Sequence, residues 1–274
     1  MTTTIKRVLS IAGSDSGGGA GIQADLKTCS ALGCYGMTVI TAITAQNTVS
    51  VRSIHAIPPS EVVHQLEAVL EDIGVDAVKT GMLMSAEIIE AVATVLERYQ
   101  PPNLVVDPVM ISKSGARLLE DSAVDRLKER LLPLATLVTP NVPEASVLTG
   151  IALDPYTHVH DVLDALHALG PRCVLLKGGH FDSPEAVDYL YDGDVQKVYA
   201  TKRINTNNTH GTGCTFAAAI ACQLAQGHAV PEAIQRAKDY LTRAIAESDR
   251  LNIGKGVGPL HHGWNVTGHP ARQA

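Results

Sequence analysis

The sequence predicts an α/β fold built on a central, mostly parallel sheet with an antiparallel edge hairpin, and three observations predict it. Short runs rich in Val, Ile and Leu alternate with amphipathic segments, the pattern of β-α-β units whose strands are buried on both faces. Two later runs, 187–191 and 195–200, are separated by Asp192-Gly193-Asp194, and Asp-Gly favours the tight primed turn of a hairpin. Further on, Gly211 and Gly213 lead directly into an apolar, alanine-rich segment, which reads as a glycine turn opening a helix.

The elements follow in order. Strands are expected at 7–12, 36–42, 77–80, 104–107, 137–139 and 174–176, each an apolar run closed by a turn and followed by a helix-like segment. Helices are expected at 21–32, 59–72, 85–98, 121–132, 159–169, 212–226 and 231–249, where apolar residues recur at helical spacing. A further short helix should begin at Asn141-x-x-Glu144. In open α/β sheets ligands collect beyond the carboxyl ends of the strands, and Asp15, Gln46, Asp107, Asn141, Glu144 and Lys177 all follow predicted strands closely.

Composition narrows the function. The 274 residues are 45% hydrophobic and 18% charged, enough to bury a large core without disulfides or metals, and the absence of a linker favours a single domain over 1–274 with a polar tail from about 264. A net charge of −6 and 4% aromatic residues leave neither a basic field nor stacking platforms for nucleic acid. Five cysteines, at 29, 34, 173, 214 and 222, form no C-x-x-C pair, which fits a reducing compartment and neither a disulfide framework nor a zinc ribbon. The apolar run after Lys6 and Arg7 is too short for a signal peptide, and nothing approaches the ~18 apolar residues of a membrane span. A soluble, cytoplasmic protein is expected, with no membrane partner.

The chemistry concentrates in Asn208-Thr209-His210-Gly211-Thr212-Gly213-Cys214-Thr215. A helix N-terminus offers unpaired N–H groups and a positive dipole end, so phosphate is the expected guest. Cys214 falls in the first turn, where the same field is expected to lower its pKa toward neutrality; the alternative is a small residue packed under the turn. Near the N-terminus, Gly19-Ala20-Gly21-Ile22-Gln23-Ala24 fits a loose dinucleotide fingerprint, but the second strand ends Thr44-Ala45-Gln46-Asn47 without the ribose-binding acid. Asp15 and Asp25 flank that loop and suit a small hydroxylated substrate better than a pyrophosphate, and there is no P-loop motif.

With these motifs placed, the chain resembles the hydroxymethylpyrimidine and hydroxymethylpyrimidine phosphate kinases of thiamine biosynthesis, within the ribokinase-like superfamily. The resemblance is carried by Ala12-Gly13-Ser14-Asp15, the stretch from Gly17 to Thr28, Thr41-Ala42 with Ala45-Gln46-Asn47-Thr48, and Lys79-Thr80-Gly81-Met82-Leu83. It continues through Asp107-Pro108-Val109-Met110, Lys113-Ser114-Gly115, Thr139-Pro140-Asn141 with Glu144-Ala145, Leu176-Lys177-Gly178-Gly179-His180, the HGTGC loop, and Gly254-Lys255-Gly256-Val257-Gly258-Pro259-Leu260. One departure is Asn207, where relatives often carry Lys.

The resemblance implies a three-layer fold with helices on both faces of the sheet, and transfer of the ATP γ-phosphoryl, with Mg²⁺, first to the pyrimidine alcohol and then to its monophosphate. The amides of Gly211, Thr212, Gly213 and Cys214 would hold the transferring group, Thr212 adding a hydroxyl, while Cys214 takes the place of the Asp base of most ribokinase-like enzymes; a covalent-nucleophile role is its alternative. Lys177, Lys238 and His210 are implied contacts to nucleotide phosphates, with a solvated helix face as the alternative for Lys238 and turn-fixing for His210. Asp107, Asn141 and Glu144 would organise Mg²⁺, partly through water, Glu144 being alternatively a helix cap. Asp25 would hold the hydroxymethyl group, Gln46 would match an aminopyrimidine edge, and Met82 and Val109 would wall the ring, Met82 alternatively filling core. Asp15 alternatively closes its own loop. His261 and His262 have no ligand spacing and read as structural. A homodimer is implied as well. The rival readings are a pyridoxal kinase of the same cysteine-bearing subgroup, a catalytically silent nucleotide or pyrimidine sensor, and an oxidoreductase disfavoured by the missing ribose acid.

Overall fold

The computed structural model describes residues 4–110, 118–153, 159–179 and 183–266. Lys113-Ser114-Gly115, His180 and the tail beyond 266 therefore lie outside the described residues. The strands are β1 (Arg7–Asp15), β2 (Tyr35–Gln46), β3 (Val51–Ala56), β4 (Ala77–Thr80), β5 (Leu104–Val106), β6 (Leu137–Val138), β7 (Val174–Lys177), β8 (Glu185–Tyr191) and β9 (Gln196–Lys202). They form one sheet in the order β3-β2-β1-β4-β5-β6-β7-β8-β9. β2, β1, β4, β5, β6 and β7 run parallel, and β8 and β9 make the expected hairpin, from Glu185↔Lys202 to Tyr191↔Gln196.

The helices are α1 (Gly21–Ala31), α2 (Pro59–Ala68), α3 (Ala86–Tyr99), α4 (Asp121–Arg126), α5 (Val142–Thr149), α6 (Val159–His167), α7 (Thr212–Ala225) and α8 (Val230–Ala246). Wider turns at Val69–Ile73 and Leu127–Leu131 extend α2 and α4 to the lengths their periodicity predicts. β3 is absent from the expected elements. It pairs antiparallel with the end of β2 and is largely exposed, so Val51-Arg52-Ser53-Ile54-His55-Ala56 carries no continuous apolar run to announce it.

The period-2 alternation of each strand divides the core in two. Leu9, Ile11, Val78, Leu104, Val106, Val138, Val174 and Leu176 pack on the layer of α2, α3, α4 and α6. Val8, Ala77, Val105, Leu137 and Leu175 pack on the layer of α7 and α8, giving three layers. Two residues beyond each member of this second set stand Ser10, Lys79, Asp107, Thr139 and Lys177. The same alternation that buries the apolar residues thus lines up the polar ones under the start of α7. Strand order reverses around β1, whose neighbours are β2 and β4, and the cleft lies beyond the carboxyl ends of the parallel strands there.

Candidate active site

A cleft of about 630 Å³ is lined by thirteen of the fourteen residues that the sequence singles out: Gly211, Thr212, Gly213 and Cys214; Gln46, Met82 and Val109; Lys177, His210 and Lys238; Asp107, Asn141 and Glu144, with only Asp25 outside it.

Gly211 caps α7 at φ +85°, and a Cβ there would lie 1.8 Å from the Gly19 carbonyl oxygen, so only glycine fits this crossing of the two glycine loops. The first helical hydrogen bond of α7 runs from the Thr215 N–H to the Gly211 carbonyl at 2.9 Å. The amides of Gly213 and Cys214 precede it and stay outside the ladder, as an anion site requires. Thr212 departs from expectation: its N–H (3.3 Å) and its hydroxyl (2.7 Å) both donate to the Thr209 carbonyl, closing the turn.

Beneath this loop, a Cβ on Gly213 would lie 3.4 Å from Lys177 Nζ and 3.6 Å from Asp107 Oδ2. Lys177 Nζ donates to Asp107 Oδ1 at 2.8 Å, and the Thr139 hydroxyl donates to the same oxygen at 3.1 Å. Asn141 and Glu144 form a capping box on α5: Asn141 Oδ1 accepts from the Glu144 N–H at 2.9 Å, and Glu144 Oε2 accepts from the Asn141 N–H at 2.8 Å. Burial pushes the Glu144 carboxyl up to about 7; Lys177 pulls it down and Asp107 pushes it further up.

Cys214 corrects the expectation of an acidified thiol. Its pKa is pushed up to about 11, first by loss of solvent and then by the carboxylates of Asp25 and Asp107, against the pull of the Lys79 ammonium and the Gly21 amide. The helix N-terminus is present, but the wall around the sulfur is too dry and too acidic for it to prevail.

Asp25 is likewise corrected. It is 1% exposed and lies behind the cleft wall, accepting from Lys79 Nζ at 2.9 Å and from the Ser10 hydroxyl at 2.5 Å, both through Oδ2. Its Oδ1 is buried without a partner. Lys238 lines the cleft with its ammonium bonded to Asp188 at 2.5 Å and to the Ala186 carbonyl at 3.0 Å, and at 3% exposed it is not a solvated helix face. His210 Nε2 lies 2.9 Å from Asp15 Oδ2 and 3.2 Å from Gln46 Nε2, which joins the loop before α7 to the Gln46 end of β2. Asp15 also accepts from the amides of Gly17, Gly19 and Ala20, closing its own loop. Met82 lies over Gly13, where a Cβ would come within 2.3 Å of its methyl carbon, and the thioether forms part of the cleft wall.

Sequence reading missed Lys79, Thr139 and Asp188. The signal for Lys79 is there: it is the one charged residue of the four-residue strand β4, in which every position is buried.

The sheet order, the helix-terminal anion site and the adjoining lysine–carboxylate pairs define a small-molecule kinase of the ribokinase-like fold. The phosphomethylpyrimidine kinase profile matches residues 15–261, and the chain belongs to that family. Hydroxymethylpyrimidine/phosphomethylpyrimidine kinases of Streptomyces coelicolor (50% identical, 94% of each chain) and Escherichia coli (47% identical, 94% of this chain and 98% of the relative) are similar over nearly their whole length. A bifunctional thiamine-biosynthesis protein of Geobacter sulfurreducens is 56% identical over 93% of this chain, which spans 52% of that protein. Among solved structures, the ADP complex of Bacillus subtilis pyridoxal kinase superposes with TM-score 0.87 at 42% identity, covering 94% of this chain and 98% of that one. The phosphomethylpyrimidine kinase of Clostridium difficile gives 0.79 at 49% identity, covering 88% and 100%. Among the described residues, no helix is long and apolar enough to cross a membrane.

Proposed function

We propose that this cleft carries the γ-phosphoryl group of ATP to the hydroxymethyl oxygen of 4-amino-5-hydroxymethyl-2-methylpyrimidine, and then a second one to the resulting monophosphate. The observation that supports this most is the start of α7, where two amides outside the helical ladder, Lys177 and Cys214 converge on one end of the cleft. Phosphoryl transfer asks the protein for alignment and charge neutralisation, which these groups supply. In-line transfer forms the bond between acceptor oxygen and phosphorus as the bond to the bridging β–γ oxygen breaks, with ADP leaving.

The residues also fit a divalent cation. Mg²⁺ is held by one or two carboxylates and by substrate phosphates, and Asp107 and Glu144 offer two carboxylates in the cleft lining. Burial and then the Asp107 carboxylate raise the proton affinity of Glu144, so positive charge beside it would be favoured. The two carboxylates would hold the ion, with Asn141 keeping Glu144 in place through the capping box. Bound there, Mg²⁺ would supply positive charge to the phosphates.

The two acceptors make different demands. An alcohol must lose a proton, and in this reading Cys214 Sγ accepts it as the thiolate, the small ionised fraction of a thiol raised to about 11, which the Lys79 ammonium favours. A monophosphate oxygen is largely ionised at neutral pH, its second pKa being about 6. It needs no base. Gln46, Met82 and Val109 line the ring side of the cleft, and Asp25 acts on the hydroxymethyl end through Lys79 and Cys214 rather than by contact.

The test is ADP release from ATP and Mg²⁺ with hydroxymethylpyrimidine, its monophosphate and pyridoxal offered separately. Turnover of both pyrimidines is the expected result. Turnover of pyridoxal alone would replace this reading with that of the pyridoxal kinases whose structures this chain resembles.

A further inference from the structure

We infer that the segment from Gly254 to His262 is a positioning element of the phosphate site, a strap that holds the helix-opening loop in register with the ring side of the cleft. The inference rests on the kinase reading above. None of these residues lines the cleft, yet the segment is bonded to three parts of the site's frame.

At its start, the amides of Lys255 and Gly256 donate to Thr48 Oγ1 at 3.2 Å each, and the Val257 N–H donates to the Thr48 carbonyl at 3.0 Å. Thr48 lies two residues beyond Gln46. In the middle, the Gly258 carbonyl accepts from the His210 N–H at 3.0 Å, immediately before the Gly211 cap. At its end, His262 Nε2 lies 2.9 Å from Thr215 Oγ1, in the first turn of α7, while Tyr240 of α8 donates to the His262 carbonyl at 2.6 Å. The ring of His262 also bonds the Leu260 backbone, and burial beside Lys27, His261 and His210 keeps it neutral. With one ring nitrogen bound to that carbonyl as donor, Nε2 is the acceptor of the Thr215 hydroxyl.

The glycines show how closely the strap is fitted. A Cβ on Gly256 would lie 2.1 Å from the Thr48 carbonyl oxygen, and one on Gly258 would lie 1.9 Å from Asn208 Oδ1. Gly254 adopts φ +75°, with Thr48 Oγ1 2.2 Å from a Cβ position. At Gly256 and Gly258 the glycines therefore answer a close approach to two loops, and at Gly254 a left-handed backbone as well. Misplacing reacting groups by about 1 Å can cost on the order of 100-fold in rate, so a strap far from the chemistry can govern it.

The experiment compares Gly258→Ala, Gly258→Ala with Asn208→Ala, Thr215→Val and Thr215→Ser, reading kcat, KM and Tm, with ATP affinity by calorimetry. The acceptor is whichever one the wild type turns over, so a wrong substrate assignment shows in the wild type and not in the ratios. Gly258→Ala should lower kcat by about tenfold or more at a temperature well below its Tm. Adding Asn208→Ala should recover most of that loss, because the new Cβ then faces the Asn208 Cβ at 3.5 Å. Thr215→Val should lose a similar factor, and Thr215→Ser, which keeps the hydroxyl, should not. Lower Tm with unchanged kcat, KM and ATP affinity in Gly258→Ala and Thr215→Val would overturn the inference and leave the strap a stabiliser only. If Gly258→Ala does not fold, the Thr215 pair decides by the same criterion.

Discussion

Two lysine–aspartate pairs stand side by side under α7, alike in chemistry and opposite in access. Lys79 and Asp25 meet at 2.9 Å with both side chains 1% exposed, sealed behind the cleft wall. Lys177 and Asp107 meet at 2.8 Å, but Lys177 is 13% exposed and opens on the cleft beside Gly213. The same strand alternation points both lysines toward α7, so the difference comes from what covers them. The sealed pair can act on a substrate only through its field, felt at Cys214; the open pair can meet a phosphate directly.

The largest expected effect separates the pairs by stability. Lys79→Met leaves a buried carboxylate uncompensated and should cost about 3–5 kcal/mol in denaturant unfolding, whereas Asp25→Leu with Lys79→Met should regain much of it. Lys177→Met should cost clearly less stability, because Asp107 keeps the Thr139 hydroxyl and can take water from the cleft. Equal losses would mean that the two pairs are not distinct.

Activity should divide them the other way. Lys177→Met removes the charge that opens on the cleft beside Gly213 and that the proposed reading sets against the transferring group, and a loss of about 100- to 1,000-fold in kcat is expected with the fold intact. A smaller loss than that seen for a folded Lys79 variant would reverse the assignment of which lysine meets the nucleotide.

Two pH profiles sharpen the role of burial. His262 has its pKa pushed down to about 4 from an ordinary value near 6.5, so the unfolded chain takes up a proton that the native state refuses. Stability should therefore fall as pH drops from about 6.5 toward 4, by roughly 3 kcal/mol, and His262→Gln should flatten that slope. A pH-independent difference between the two proteins would show that the ring is solvated. For Cys214, alkylation by iodoacetamide should be slow at neutral pH and rise about tenfold per pH unit toward 11, as expected for a thiol raised to about that value. A plateau near pH 7 would show that the helix N-terminus dominates after all.

The contrast between the pairs also shows what a sequence can and cannot disclose. The parallel strands are legible because burial on both faces demands continuous apolar runs, and β4 matches its expected bounds. β3 escaped because an exposed edge strand needs no such run. Lys177 could be placed from its position at a strand end, but which atoms each ammonium meets depends on chains distant in sequence: Asp25 is 54 residues from Lys79, and Asp188 is 50 from Lys238. The capping box at Asn141 and Glu144 was local and therefore visible as an alternative. The thiol of Cys214 was misjudged because the dipole is a property of its own helix, whereas the burial that opposes it, and after it the carboxylates of Asp25 and Asp107, come from elements distant in sequence.

The most direct test of the account is Cys214→Ala assayed separately on hydroxymethylpyrimidine and on its monophosphate, with Tm as the control for folding. If Cys214 serves the alcohol's proton, kcat/KM should fall by about 100-fold or more for hydroxymethylpyrimidine, the range of a general base, and by less than about tenfold for the already ionised monophosphate. Equal loss on both acceptors would contradict the proton-acceptor role and place Cys214 with the groups that hold the transferring phosphoryl.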